Sequence, residues 1–175
     1  MSRPKEMAGF TLIELMVVVA VAAILASIAI PSFRTLMLNN QITSQTNLVI
    51  GIVQGARSEA ITQRSIVRIC GSNDAALSQA NYSCNSNDWE DGAIVFRSPD
   101  TTTATASADE LIKVLPPNTS GLTLRSSGII TINPNGTLNN AVTLHVCDSR
   151  GTESSRAITI NIAGVATSGA NDTCP

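Results

Sequence analysis

Three sets of residues have types that could do chemistry. The first is a single carboxylate, Glu14, inside FTLIELMVVVAVAAILASIAI, residues 10–30, where only Thr11, Glu14 and Ser27 interrupt the apolar character. An ionisable group in a membrane-length segment costs about 2.5–3.5 kcal/mol on insertion scales, so it calls for a partner. The small pair Ala8-Gly9 lies before the apolar run. Cleavage at that pair would release the leader and keep the hydrophobic helix, and the α-amino group it creates would suit a carboxylate partner; the other reading is that Glu14 simply reaches the headgroups. A secretory signal peptide has the reverse order, with its small-residue cleavage site after the apolar core.

The second set is Cys70, Cys84, Cys147 and Cys174. An even number in an exported domain points to two disulfides, and four cysteines permit three pairings. Proximity and purpose favour Cys70–Cys84, which would close the polar loop after the first predicted strand, and Cys147–Cys174, which would tie a weakly apolar tail to the strand ending near Cys147. Zinc usually needs close pairs such as C-x-x-C, and no two cysteines here are so spaced. The third set is His145, Asp148 and Ser149. They have the residue types of a catalytic triad, but they fall on one predicted strand and its turn, where a hydrogen-bonded strand histidine is the expected role. With no phosphate-cradling glycine-rich loop and no metal-spaced cluster, the sequence calls for no cofactor, no metal and no enzymatic activity of its own.

These residues need elements to position them. Residues 10–30 would span about 31 Å as a helix, matching a bilayer core of about 30 Å. The leader MSRPKEMAG carries Arg3 and Lys5 and would stay cytoplasmic, with the rest exported. Pro31 is expected to kink the helix without ending it. Beyond it Ile42, Val49, Ile52, Val53, Ala56 and Ala60 recur at helical spacing, an amphipathic continuation to about Gln63. Gly51 and Gly55 weaken it locally and would permit close packing against a sheet. From residue 65 short β-like runs take over: 66–70, 93–96, 112–115, 122–124, 129–132, 142–146 and 157–162. Asn135-Gly136 signals a turn, and Asp148–Gly151 is expected to join the last two strands as a hairpin. Residues 71–91 and 98–110 read as polar loops, and 163–175 as a small polar tail.

Composition narrows the function. The chain of 175 residues is long enough for one domain with its own core. Aromatic residues are 3%, so the core must be built from Val, Ile, Leu and Ala. The formal net charge is −2, and removal of residues 1–9 leaves nine basic and twelve acidic residues. That is not the basic footprint of a nucleic-acid binder.

The run Gly9-Phe10-Thr11-Leu12-Ile13-Glu14, followed by the apolar segment and Pro31, resembles the processing and assembly signature of type IV pilins and type II secretion pseudopilins. The resemblance implies that a prepilin peptidase cuts after Gly9 and methylates Phe10, and that Glu14 acts in assembly. Downstream, QGARSEAIT at 54–62, Cys147-Asp148-Ser149-Arg150-Gly151 and Ser155-Arg156-Ala157-Ile158 resemble the GspH/FimT family, its FimU and FimT minor pilins in particular. Within the ARSEA run, Arg57 and Glu59 taken singly read as solvated helix residues.

The implied fold is α+β, a type IV pilin fold with a long N-terminal helix packed on an antiparallel sheet. The implied organisation is a prepilin leader (1–9), a transmembrane or filament-core helix (10–33), its amphipathic second half (34–64) and a β-rich periplasmic domain (65–175). The implied function is that of a minor pilin that primes a pilus or sits near its tip. The alternatives are a GspH-like pseudopilin in protein export and a FimT-like DNA-uptake receptor. Relatives that take up DNA carry a G-R-x-R motif. The corresponding stretch here is Gly164-Val165-Ala166-Thr167, and no Lys or Arg follows Arg156, which disfavours DNA as a partner. The implied partners are other pilins or pseudopilins, the peptidase and inner-membrane lipid.

Overall fold

The computed structural model describes residues 10–77, 81–170 and 173–174. The leader and Gly9 lie outside the described residues. Helix α1 runs over Leu12–Gln63 and continues through Pro31. It ends where Arg64 takes a left-handed conformation (φ 51°) and the Ser65 N–H donates back to the Ala60 carbonyl, 3.2 Å. The described residues fall into two units divided between Leu38 and Asn39.

In the first unit the helix is exposed on every side. In the second, Ile42, Val49, Ile52, Val53, Ala56 and Ala60 are all buried, together with Thr46. These are the residues whose helical spacing marked an apolar face. Gly51 and Gly55, expected to pack closely on a sheet, instead have open space where a Cβ would stand. They lie on the helix flank beside the buried stripe.

Among the described residues ten strands follow: β1 (Ile66–Gly71), β2 (Asn81–Ser83), β3 (Ala93–Ser98), β4 (Thr105–Ser107), β5 (Leu111–Leu115), β6 (Thr123–Ser126), β7 (Ile130–Ile132), β8 (Val142–Cys147), β9 (Arg156–Ile160) and β10 (Ala166–Ala170). They form two four-stranded antiparallel sheets, ordered β5-β3-β1-β7 and β10-β9-β8-β6, and a two-stranded β2-β4 pair. The stretches read as loops thus contain β2 and β4, and the small polar tail contains β10. None of the three has the apolar alternation that marks a strand. They form because a paired or disulfide-tied neighbour lies alongside.

The buried face of α1 packs on both four-stranded sheets in one core, aliphatic apart from Trp89: Val67 and Ile69 of β1, Val95 of β3, Leu144 of β8, and Ile158 and Ile160 of β9. Burying such a side chain stabilises by about 1.5–3 kcal/mol, and the set makes up for the scarcity of aromatic residues. β1 is central and buried on both faces. Its other face forms a second cluster with Tyr82, Ile94, Phe96 and Ala106, covered by the β2-β4 pair. Arg68 also lies there, 5% exposed, its Nη1 donating to the Thr103 carbonyl. Burial pushes its guanidinium below the ordinary value, with Asp100 pulling the other way.

Candidate functional site

The start of α1 is built by two residues. The Glu14 N–H donates to Thr11 Oγ1 (3.2 Å), and Glu14 Oε2 accepts from the Thr11 N–H and hydroxyl (both 3.4 Å). This reciprocal arrangement is a capping box, which satisfies backbone donors that a helix start leaves unpaired. The T-x-x-E spacing of Thr11 and Glu14 is the sequence signal for it. Glu14 is exposed, so its carboxylate, bound to its own helix start, is also open to an external cation. Phe10, just ahead of the cap, is 86% exposed.

From the cap onward the helix presents bare apolar side chains, among them Val17, Val21, Ile24, Leu25, Ile28 and Phe33. By length and composition this stretch can cross a membrane. Pro31 removes the backbone donor that would reach the carbonyl of Ser27; separately, Thr35 Oγ1 donates to the Pro31 carbonyl, 3.1 Å.

The second unit is held by polar clamps. Arg57, in the ARSEA run, is half-buried, and its Nε donates to the Gly136 carbonyl, 3.0 Å. Gly136 (φ 80°) sits in the Asn135-Gly136 turn, and Gly164 (φ 76°) in the turn between β9 and β10. A Cβ on Gly164 would strike the Gly136 carbonyl oxygen and come within 2.8 Å of Arg57 Nε. One guanidinium therefore lies against two turns that both need glycine. This corrects the reading of Arg57 as a solvated helix residue; sequence spacing gives no hint that residues 57, 136 and 164 meet.

A second clamp lies in the β8–β9 connection. The Asp148 carboxylate accepts from the Arg150 N–H (2.8 Å) and Nε–H (2.8 Å) and pairs with Nη2 (2.6 Å). Arg150 Nη1 donates to Asn39 Oδ1 on α1, 2.9 Å. Asp148 is thus committed to Arg150. His145 lies on β8 opposite Arg125 and Ala157, and Ser149 is exposed in the turn.

The structure bonds Cys70 to Cys84 (Cα–Cα 5.4 Å) and Cys147 to Cys174 (6.0 Å). The first joins β1 to the segment just after β2; the second joins the end of β8 to the residues beyond β10. Among the described residues no group of three or more His, Cys, Asp or Glu side chains is placed to hold a metal.

Residues 45–164 match the family model of the type II transport protein GspH, and residues 5–30 match that of the prokaryotic N-terminal methylation motif. Over 63 residues the chain is 41% identical to a fimbrial protein of Pseudomonas aeruginosa, covering 36% of this chain and 41% of that protein. Over 58 residues it is 41% identical to the fimbrial protein EcpC of Eikenella corrodens, covering 33% and 37%. The matches thus span about two fifths of the length of these curated relatives. In structure the chain is similar to the type IV minor pilin FimU of Pseudomonas aeruginosa, with a TM-score of 0.58 at 22% identity over 78% of this chain and 93% of that one.

Proposed function

The chain belongs to the family of the type II transport protein GspH, and from that premise we propose that it is a minor subunit of a type IV pilus-like filament. A prepilin peptidase cuts it after Gly9 and methylates Phe10. Residues 10–33 anchor it in the inner membrane, with the β-rich domain on the periplasmic side, and then pass into the filament core. There the subunit primes assembly or stands near the tip, beside other pilins.

The observation that carries this reading is the one-sided design of α1. Its first half exposes a full apolar surface headed by one carboxylate, while its second half is locked into the β domain. Lipid or other helices must cover the first surface, and the exposed carboxylate, although it caps its own helix, can also meet the amine that cleavage creates on a neighbouring subunit. The family model's description favours a second reading, a pseudopilin that works in protein export. DNA as a partner gains nothing here: Gly164–Thr167 forms a turn and the start of β10 and carries no cation.

Glu14 provides the test, because its capping and charge roles can be separated. Glu14→Gln keeps a side chain that can complete a capping box but carries no charge, whereas Glu14→Val removes both. Both variants should insert in the membrane, begin at N-methyl-Phe10 by mass spectrometry, and fall by more than about tenfold in sheared filaments. Normal incorporation of Glu14→Gln would reduce Glu14 to a helix cap. An intact Met1 start in cells with a working prepilin peptidase would remove the processing step.

A further inference from the structure

Two four-stranded sheets have four edges, and an open edge is a template for another strand unless something blunts it. Three of the four are blunted here. The outer side of β6 is taken up by the preceding loop: the Trp89 N–H donates to the Leu124 carbonyl (2.7 Å) and the Ser126 N–H to the Asn87 carbonyl (2.9 Å). Arg125 also pairs with Asp88 across that edge. β7 is bridged at Ile132 by Leu138. β5 breaks register against β3 between Val95 and Phe96 and carries Lys113, two features that discourage further pairing.

β10 has none of these features. Among the described residues it pairs with β9 alone, in unbroken register from Ala166↔Ile160 to Ala170↔Arg156. Its sequence, Ala-Thr-Ser-Gly-Ala, contains no charge, no proline and no bulky side chain. Thr167, Ser168 and Gly169 are exposed. Five such residues bury little on their own account, yet the strand is fastened at both ends. At one end is the Gly164 turn, against Arg57. At the other is the Cys147–Cys174 bond, which anchors the chain past β10 to β8, two strands inward. The bond meets the sheet at its end, where Val146 and Ala170 both pair with Arg156, and among the described residues nothing pairs along the length of the edge.

We propose that the free edge of β10 is a strand-addition site, and that its occupant is an extended, uncharged segment of a neighbouring filament subunit. Backbone hydrogen bonds along the edge would supply the affinity, and the small side chains of β10 would let a second backbone approach without a pocket. The neutral edge rejects a charged strand, which would lose solvation without gaining a partner. The occupant rests on the subunit reading above; the open edge itself does not.

The test compares amide hydrogen exchange of the full-length chain in sheared filaments and in detergent solution, together with the variant Ser168→Lys and the control Thr101→Lys on an exposed loop. In detergent the outward amides of 166–170 should exchange fast, and in filaments about tenfold or more slowly, while β6 changes little. Ser168→Lys should keep the wild-type melting temperature yet reach filaments about tenfold less, as expected from losing one or two hydrogen-bonded contacts; Thr101→Lys should be neutral. Equal exchange of 166–170 in both states would overturn the proposal, even if Ser168→Lys failed to fold. Slowing in detergent that grows with protein concentration would show a second copy of this chain as the occupant and overturn the partner. Absence of the wild-type chain from filaments would instead overturn the subunit reading, and with it the occupant, by a result that does not involve β10.

Discussion

The two halves of α1 carry similar apolar residues to opposite ends. Val17, Val19, Val21 and Ile24 in the first half are all more than half exposed, whereas Val49, Ile52 and Val53 in the second are 5% exposed or less. The backbone is the same helix, and the difference lies in the faces between the apolar residues. In the first half those faces are apolar too, so no side of the helix is set apart for the chain's own domain. In the second, Asn39, Gln45, Asn47, Gln54 and Ser58 fill the other sides and leave one stripe for the sheets. A uniformly apolar helix must find its cover outside the chain, and an amphipathic one finds it within.

The largest effect should come from placing the same charge on each half. Val53→Asp places a carboxylate in a fully buried apolar position, and should cost about 4 kcal/mol or more, enough to unfold the β-rich domain by circular dichroism. Val19→Asp should leave the melting temperature of that domain unchanged and instead weaken membrane insertion by about 2.5–3.5 kcal/mol, read as the fraction recovered in the membrane pellet. Equal melting temperatures for both variants would break the contrast.

Next in size is the tail. The Cys147–Cys174 bond closes a loop of sequence separation 27, worth roughly 3.5 kcal/mol by chain entropy. Cys174→Ser should release β10 first, seen as protease nicking around 163–170 while α1 and β1 remain protected. Simultaneous loss of all protection would show that the tail holds the whole domain. Arg57→Ala removes a half-buried guanidinium from two turns and should cost about 1–2 kcal/mol, with faster exchange at Gly136 and Gly164 together. A change at one turn alone would mean that the two are not coupled through Arg57.

The smallest effect is electrostatic. Asp100 is exposed, and hydrogen bonds from the Thr103 and Thr102 N–H groups, followed by those of their hydroxyls, lower its carboxyl to about 2. Its contribution to stability is therefore present above pH about 4 and lost as pH falls through about 2. That loop supplies the carbonyl that receives Arg68. Asp100→Asn should flatten the decline in melting temperature between pH 4 and 2, and an Asp100 titration midpoint near 4 by nuclear magnetic resonance would remove the effect.

The features legible in the sequence are those with local causes. The apolar run, the helical spacing of Ile42 to Ala60, the Asn135-Gly136 turn and the main strand segments depend on neighbours in the chain, and each stands close to where periodicity placed it. The Thr11–Glu14 cap was equally local and could have been read from its spacing. Tertiary structure decided what depends on distant partners. β2 and β4 hold because each lies beside the other, and β10 because β9 and a disulfide flank it, so their own sequences carry no strand pattern. Arg57 became a clamp only when the turns at 136 and 164 folded onto it, and Arg150 when its loop reached Asn39. A bare sheet edge is likewise visible only once strand order is known: five small neutral residues read as a tail until they stand last in a sheet.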